Sequence, residues 1–148
     1  MRYDWVWIYA YVCPATGDTF WLILPTVDAE LMSLSLKEFA LHAKVGPDNR
    51  IILVIDQAGF HTAKDIHVPE GIHLFYLPSH TPELQPAERL WEYTDEPLAN
   101  QCFTDIEALT TVLCARCKDL TELTTTIKSL CNYDWIQKIH QKNNILGN

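Results

Sequence analysis

Leu77-Pro78-Ser79-His80-Thr81-Pro82-Glu83-Leu84-Gln85-Pro86-Ala87-Glu88-Arg89-Leu90-Trp91 is the stretch on which the reading of this chain turns. Pro82 and Pro86 stiffen the loop. Pro86 also stands where a helix would start, because its missing N–H is not needed in a first turn, so the spacing predicts a helix from there onward. Glu88 then falls at the N-terminal end of that helix, where free N–H groups and the helix dipole favour an ionised carboxylate. Upstream, Ile51-Ile52-Leu53-Val54-Ile55 ends on Asp56, a carboxylate at the tip of what reads as a buried strand. Two acids, each at the end of a rigid element, suit all-oxygen coordination of a hard divalent metal. Each acid has a plainer reading too: Asp56 as a cap on the next turn, Glu88 as an ordinary first-turn acid. Taken singly, the residues leave both open.

Outward from these two segments the pattern is mixed α/β. Residues 3–12 carry aromatics at odd positions (Tyr3, Trp5, Trp7, Tyr9, Tyr11) and mostly aliphatics at even ones, as in a strand covered on both faces. Pro14–Asp18 has turn chemistry, and Thr19–Leu24 reads as the returning strand of a hairpin. Asp28 is placed to cap a helix whose apolar positions Met32, Leu36, Phe39, Ala40 and Ala43 follow helical spacing, and Gly46-Pro47-Asp48-Asn49 ends it. After the strand 51–56, Phe60–Ile66 reads as a short connection and His73–Leu77 as a further strand. Helical pieces are expected near 87–100, 104–118, 121–131 and 133–141. The sheet-containing part thus spans about 3–80 and the C-terminal helices about 86–141, in one domain over 1–148.

The chain has 148 residues, of which 48% are apolar and 11% aromatic, enough for a real core and unlike a disordered composition. No run approaches the roughly eighteen apolar residues of a membrane span, and Met1-Arg2-Tyr3-Asp4-Trp5 does not resemble a signal peptide. Cys13, Cys102, Cys114, Cys117 and Cys131 are an odd set that reads as reduced thiols in the cytoplasm. The net charge is −8, with eleven basic residues against nineteen acidic ones, which argues against autonomous duplex binding.

Asp56-Gln57-Ala58-Gly59-Phe60-His61, followed by Pro86-Ala87-Glu88-Arg89-Leu90-Trp91, resembles the C-terminal part of a DDE-superfamily transposase of the bacterial insertion-sequence type related to mariner elements. The pattern there is Asp-Asn-Ala-x-x-His, then Leu-Pro-x-Tyr-Ser-Pro-Glu-Leu-Asn-Pro-x-Glu-x-x-Trp. This chain departs from it at Gln57, at His80-Thr81 and at Gln85, all outside the acid positions. The resemblance covers roughly residues 3–100, and the two blocks together are specific where either alone is weak.

The resemblance implies an RNase H-like fold, a mixed sheet with helices, that lacks its first strand. In that fold the first strand lies between the hairpin and the strand ending at Asp56, and carries the first of three acids. The chain starts after the position of that strand. Asp56 and Glu88 are then the second and third catalytic acids and the metal ligands, in a site expected to hold two Mg²⁺ (or Mn²⁺) ions when complete. The chemistry implied is phosphodiester hydrolysis followed by strand transfer. DNA contacts fall to His61, Lys64 and Arg89. Beside these stand a local turn contact for His61 and an ion pair to Glu92 or Glu88 for Arg89. Trp91 is expected to pack a helix onto the sheet. Cys114-Ala115-Arg116-Cys117 has metal-ligand spacing but no second pair, and reads as plain thiols. Asp4 and Asp18 are not placed to replace the first acid.

Three readings follow. One is the C-terminal portion of a transposase catalytic domain, a decayed fragment or one half of a split gene, inactive alone and acting with DNA element ends and an upstream half. Another is a non-catalytic protein that associates with full-length transposase and modulates it. The last is an unrelated α/β interaction domain, for which both motif blocks would be coincidence.

Overall fold

β1 (Trp7–Val12) and β2 (Thr19–Leu24) form an antiparallel hairpin in register from Trp7 opposite Leu24 to Val12 opposite Thr19. The structure, a computed structural model, describes residues 6–56, 64–78, 82–99, 103 and 105–133. The turn expected at Pro14–Asp18 closes the hairpin, with the Cys13 N–H donating to the Asp18 carbonyl at 2.9 Å and the Gly17 N–H to the Cys13 carbonyl at 2.8 Å. Gly17 has φ of +81°, a conformation an L side chain rarely adopts.

α1 (Ala29–His42) starts where Asp28 predicts, its carboxylate accepting from the Leu31 N–H at 2.8 Å. The helix ends through Lys44, whose φ is 54°, and the Asn49 amide, which donates to the Ala43 and Lys44 carbonyls at 3.1 and 2.9 Å. Those carbonyls would otherwise be orphaned by the helix end. Met32, Ser35, Leu36 and Ala40 are buried on one stripe of the helix and form a core with Tyr11 and Ile72. Tyr11 stacks on Phe39 with ring centroids 4.3 Å apart, and its hydroxyl shares a 2.6 Å hydrogen bond with the buried Ser35 hydroxyl. Leu36 is fully buried, so truncating it to alanine would cost about 2–5 kcal/mol.

β3 (Ile51–Ile55) and β4 (Ile72–Tyr76) pair in parallel, as a separate two-stranded sheet. Ile51 and Leu53 face the α1 core. The sequence reads β3 as buried, and this needs correction: Ile52 is 72% exposed and Phe75, next to it on the same face, is 55% exposed. Only the face turned to α1 is covered by described residues.

The first of the four helical pieces expected after Pro86, near 87–100, is not one continuous α-helix. Residues Pro86–Leu90 form a 3₁₀ turn, α2 (Trp91–Asp95) adds little more than one α-helical turn, and Glu96–Leu98 is again 3₁₀. Pro97 explains the interruption, since its ring displaces the carbonyl one turn back and it has no N–H to continue the helix. Asp105 caps α3 (Ile106–Glu122) by accepting from the Ala108 N–H at 2.8 Å, and α4 (Thr124–Leu130) follows after a break at Leu123. Leu90, Leu120, Ile127 and Cys131 form a second core, packed against Val12 and Trp21. The hairpin is therefore covered on both faces, by α1 on one side and by α3 and α4 on the other. The helix expected over 133–141 lies almost wholly outside the described residues, as does Asp4.

Candidate active site between two strand edges

Asp56 and Glu88 line one cavity of about 400 Å³, together with Tyr9–Val12 of β1, Ile52–Ile55 of β3, Met32 of α1, and Gln85 and Trp91. Asp56 follows directly on the last residue of β3. Glu88 sits within the 3₁₀ turn Pro86–Leu90, its N–H bonded to the Gln85 carbonyl at 3.1 Å. The two acids thus come from segments 32 positions apart in sequence and share a wall of mainly apolar side chains.

The two strands flanking the cavity both turn an open edge to it. The Ile51 N–H and the Ile55 carbonyl point to the β4 side, donating to Gly71 and accepting from Leu77 at 2.9 and 2.8 Å. In a parallel ladder the intervening residues point the other way, so Ile52 and Val54 direct their backbone groups away from β4. In the hairpin, the Cys13–Asp18 bond sets Cys13, Tyr11 and Tyr9 as the residues bonded toward β2. Ala10 and Val12 then face away from β2. Among the described residues neither outward edge has a strand partner.

One side chain does reach an outward group. The Gln85 amide donates to the Val54 carbonyl at 3.2 Å, tying the segment that carries Glu88 to the strand that carries Asp56. The sequence marks Gln85 only as a departure from the Asn of the family pattern. Its longer side chain was the available signal.

The 3₁₀ segment is held from its other side by α4. The Arg89 guanidinium donates to the Leu130 carbonyl at 2.9 Å and lies 4.3 Å over the Tyr133 ring. The Cys131 thiol donates to the Pro86 carbonyl at 3.7 Å, and burial raises the thiol's pKa against the lowering influence of Arg89. Arg89, expected at DNA or in an ion pair with Glu92 or Glu88, is therefore engaged with the end of α4. No sequence signal exposed the Cys131 contact, which spans 45 positions.

Lys64 is exposed at a turn, and His61 lies outside the described residues. Trp91 is half-buried on the cavity wall, where its ring helps to enclose the space beside the two acids. Asp18 stays in the hairpin turn, accepting from the Thr16 hydroxyl at 2.8 Å. Of the Cys114–Cys117 pair, Cys114 is exposed and Cys117 buried. Burial pushes the Cys117 thiol up to about 11, which keeps it protonated and a poor metal ligand at neutral pH.

Asp56 and Glu88 offer the oxygen donors that a hard divalent cation prefers. Among the described residues no group of three His, Cys, Asp or Glu side chains comes together. The donor set present fits part of the shell of one ion and falls short of a two-ion centre.

The family profile described as DDE superfamily endonuclease matches residues 1–110, and the chain belongs to that family. It is also 33% identical, over 135 residues, to a protein of Sinorhizobium fredii (strain NBRC 101917 / NGR234) named Uncharacterized protein y4pE/y4sA. That alignment covers 90% of this chain and 98% of the relative. No solved structure matches. Membership implies DNA as the substrate, and endonucleases of this superfamily generally use divalent metal ions. The mixed α/β architecture is consistent with such a nuclease domain. No helix among the described residues is long and apolar enough to cross a membrane.

Proposed function

We propose that the chain supplies two of the three acids, Asp56 and Glu88, of an RNase H-like transposase site that cleaves and rejoins DNA at the ends of an insertion sequence. The observation that carries this reading is their convergence on one cavity from two motif blocks 32 positions apart. When bound there, Mg²⁺ or Mn²⁺ would stabilise charge on the attacking and leaving oxygens of the phosphodiester. The chain's own part is to orient. Asp56 is fixed by the end of β3 and Glu88 by a turn clamped between Gln85 and Arg89, and both residues line the same cavity. His61, Lys64 and Arg89 are the candidates for DNA phosphate, with Arg89 also serving as the clamp.

On this reading the third acid comes from an upstream half that shares the site, and the chain is inactive without it. The split-gene and decayed-fragment origins both accommodate that. The cytoplasm, where the DNA lies, is the expected compartment. A second reading, a non-catalytic protein that associates with full-length transposase, draws on the outward edges of β1 and β3, which have no strand partner among the described residues and would favour pairing with another chain.

Mn²⁺ binding followed by electron paramagnetic resonance tests the catalytic reading. The wild-type chain should bind Mn²⁺ weakly, and Asp56→Asn and Glu88→Gln should each weaken binding at least tenfold. Equal binding by all three proteins would remove these acids from the metal site.

A further inference from the structure

Two kinds of contact hold the turn that carries Glu88, and they fix different things. Leu90 is fully buried with Leu120, Ile127 and Cys131. Apolar burial of this kind is non-directional, so it fixes where the turn sits and leaves its rotation about its own axis open. The directional contacts come from the end of α4. Arg89 donates to the Leu130 carbonyl at 2.9 Å, and the next residue, Cys131, donates from its thiol to the Pro86 carbonyl at 3.7 Å. Side chains three apart on a 3₁₀ turn eclipse one another, while neighbours stand about 120° apart. With Arg89 drawn toward α4, Glu88 is directed elsewhere, and it lines the cavity that Asp56 also lines.

Tyr133 completes the grip. The Arg89 guanidinium lies 4.3 Å over its ring, and the Tyr133 N–H donates to the Cys131 carbonyl at 2.9 Å. The ring is therefore carried by the same short stretch that supplies the Leu130 carbonyl and the Cys131 thiol. A planar guanidinium held by a carbonyl and an aromatic face has one favoured orientation, which a lysine ammonium would not share. The opposite end of α4 is anchored in turn. Its Thr124 carbonyl and Lys128 backbone nitrogen approach Gly17 so closely that a β-carbon there would collide with them. α4 thus runs as a strut from the hairpin turn to the turn that carries Glu88.

We propose that Arg89 and Tyr133 are positioning residues for Glu88, and that the end of α4 sets the direction in which this carboxylate meets a divalent cation. The proposal rests on the catalytic reading for the role of Glu88. It goes beyond that reading in tying the role to a helix that carries no acid of the site. Arg89 acts through the backbone of the turn rather than on DNA phosphate. Whatever draws the Leu130–Tyr133 stretch away lets the turn rotate and takes Glu88 from the cation, while Asp56, held by β3, stays in place.

The test is Mn²⁺ affinity of the full chain by electron paramagnetic resonance, with Tyr133→Leu, Tyr133→Phe and Arg89→Gln each made in the wild type and in a Glu88→Gln background. Tyr133→Leu should weaken binding about twofold to fivefold, the scale of an exposed cation–π contact. Arg89→Gln also loses the carbonyl bond and should weaken it about tenfold. Tyr133→Phe keeps the ring and should bind as the wild type does. In the Glu88→Gln background none of these changes should weaken binding further, because they act only through that carboxylate. A general loosening of the fold would weaken binding in both backgrounds, and that result overturns the proposal. Duplex affinity without metal supplies the contrast for Arg89, since Arg89→Gln should leave both the affinity and its salt dependence unchanged. A salt slope shallower by about one, with Mn²⁺ binding intact, would make Arg89 a phosphate ligand and overturn the proposal as well. If Glu88→Gln weakens Mn²⁺ binding while Tyr133→Leu and Arg89→Gln do not, the positioning role alone falls. If Glu88→Gln changes nothing, the catalytic reading falls with it.

Discussion

The Gln85 side-chain amide and the Val54 carbonyl, 3.2 Å apart, form a hydrogen bond that links the turn carrying Glu88 to the strand that ends at Asp56. Because Pro86 holds the preceding Gln85 in extended backbone, this bond fixes the turn against the strand edge. Losing it should cost about 1 kcal/mol, as for a partly buried neutral hydrogen bond. Gln85→Ala should therefore lower the urea midpoint measurably, and weaken Mn²⁺ binding as well if the link sets the spacing of the two acids. Lower stability with unchanged Mn²⁺ affinity would reduce Gln85 to a stabilising role.

Alkaline pH should loosen the α1 core through Tyr11. Burial pushes its hydroxyl from 10.0 up to about 12, with Ser35 partly opposing the shift. The folded chain holds this proton more tightly than the unfolded one. The contribution is complete below pH 10 and is lost as pH rises from about 10 to about 12, up to roughly 2–3 kcal/mol. Tyr11→Phe should flatten the decline across that window, at a cost near neutral pH of about 1 kcal/mol for the orphaned Ser35 hydroxyl. Denaturant titrations of both proteins between pH 7 and pH 12 would show it.

The parts of this architecture that local chemistry decides were readable in the sequence. Asp28 announced α1, the Pro14–Asp18 turn announced the hairpin, and the alternation in residues 3–12 announced a strand covered on two sides, of which Trp7–Val12 is described as β1. The acids at 56 and 88 stood out because motif blocks surround them. What stayed hidden depends on the third dimension. Pro97 broke a helix whose periodicity otherwise continued, since period alone does not register one missing N–H. The exposure of Ile52 follows from what packs on β3, which an aliphatic run does not encode. Arg89 looked like a surface cation because Leu130 and Tyr133, its partners, are more than 40 positions away.

Gly17→Ala should be among the most damaging single changes in the hairpin. A β-carbon there would collide with the Thr124 carbonyl and approach the Lys128 backbone, at a φ of +81° that already disfavours alanine. The backbone conformation alone costs about 1 kcal/mol, and moving α4 away from the turn adds to it. A total of roughly 2 kcal/mol or more is expected in denaturant unfolding, with the Thr124–Leu130 amides losing exchange protection first. A loss confined to the hairpin amides would mean that α4 does not depend on this contact.

Residues 1–148 alone should neither cleave nor join DNA carrying element ends, whether with Mg²⁺ or Mn²⁺. Two carboxylates can hold part of one ion's shell, whereas a two-ion centre would need further oxygen donors. No third acid joins Asp56 and Glu88 among the described residues. Duplex affinity should be weak too, because a net charge of −8 opposes the counterion release that drives such binding. Gel shifts at physiological salt should show only non-specific association, weakening further as salt rises. On the proposed reading, adding in cis or in trans a segment that supplies a third acid should raise thermal stability and bring Mg²⁺-dependent end cleavage that Glu88→Gln abolishes. Nicking by residues 1–148 alone that Asp56→Asn abolishes would mean another acid of this chain completes the site. Stability gained without cleavage would leave the fold reading standing and mark the element as catalytically decayed.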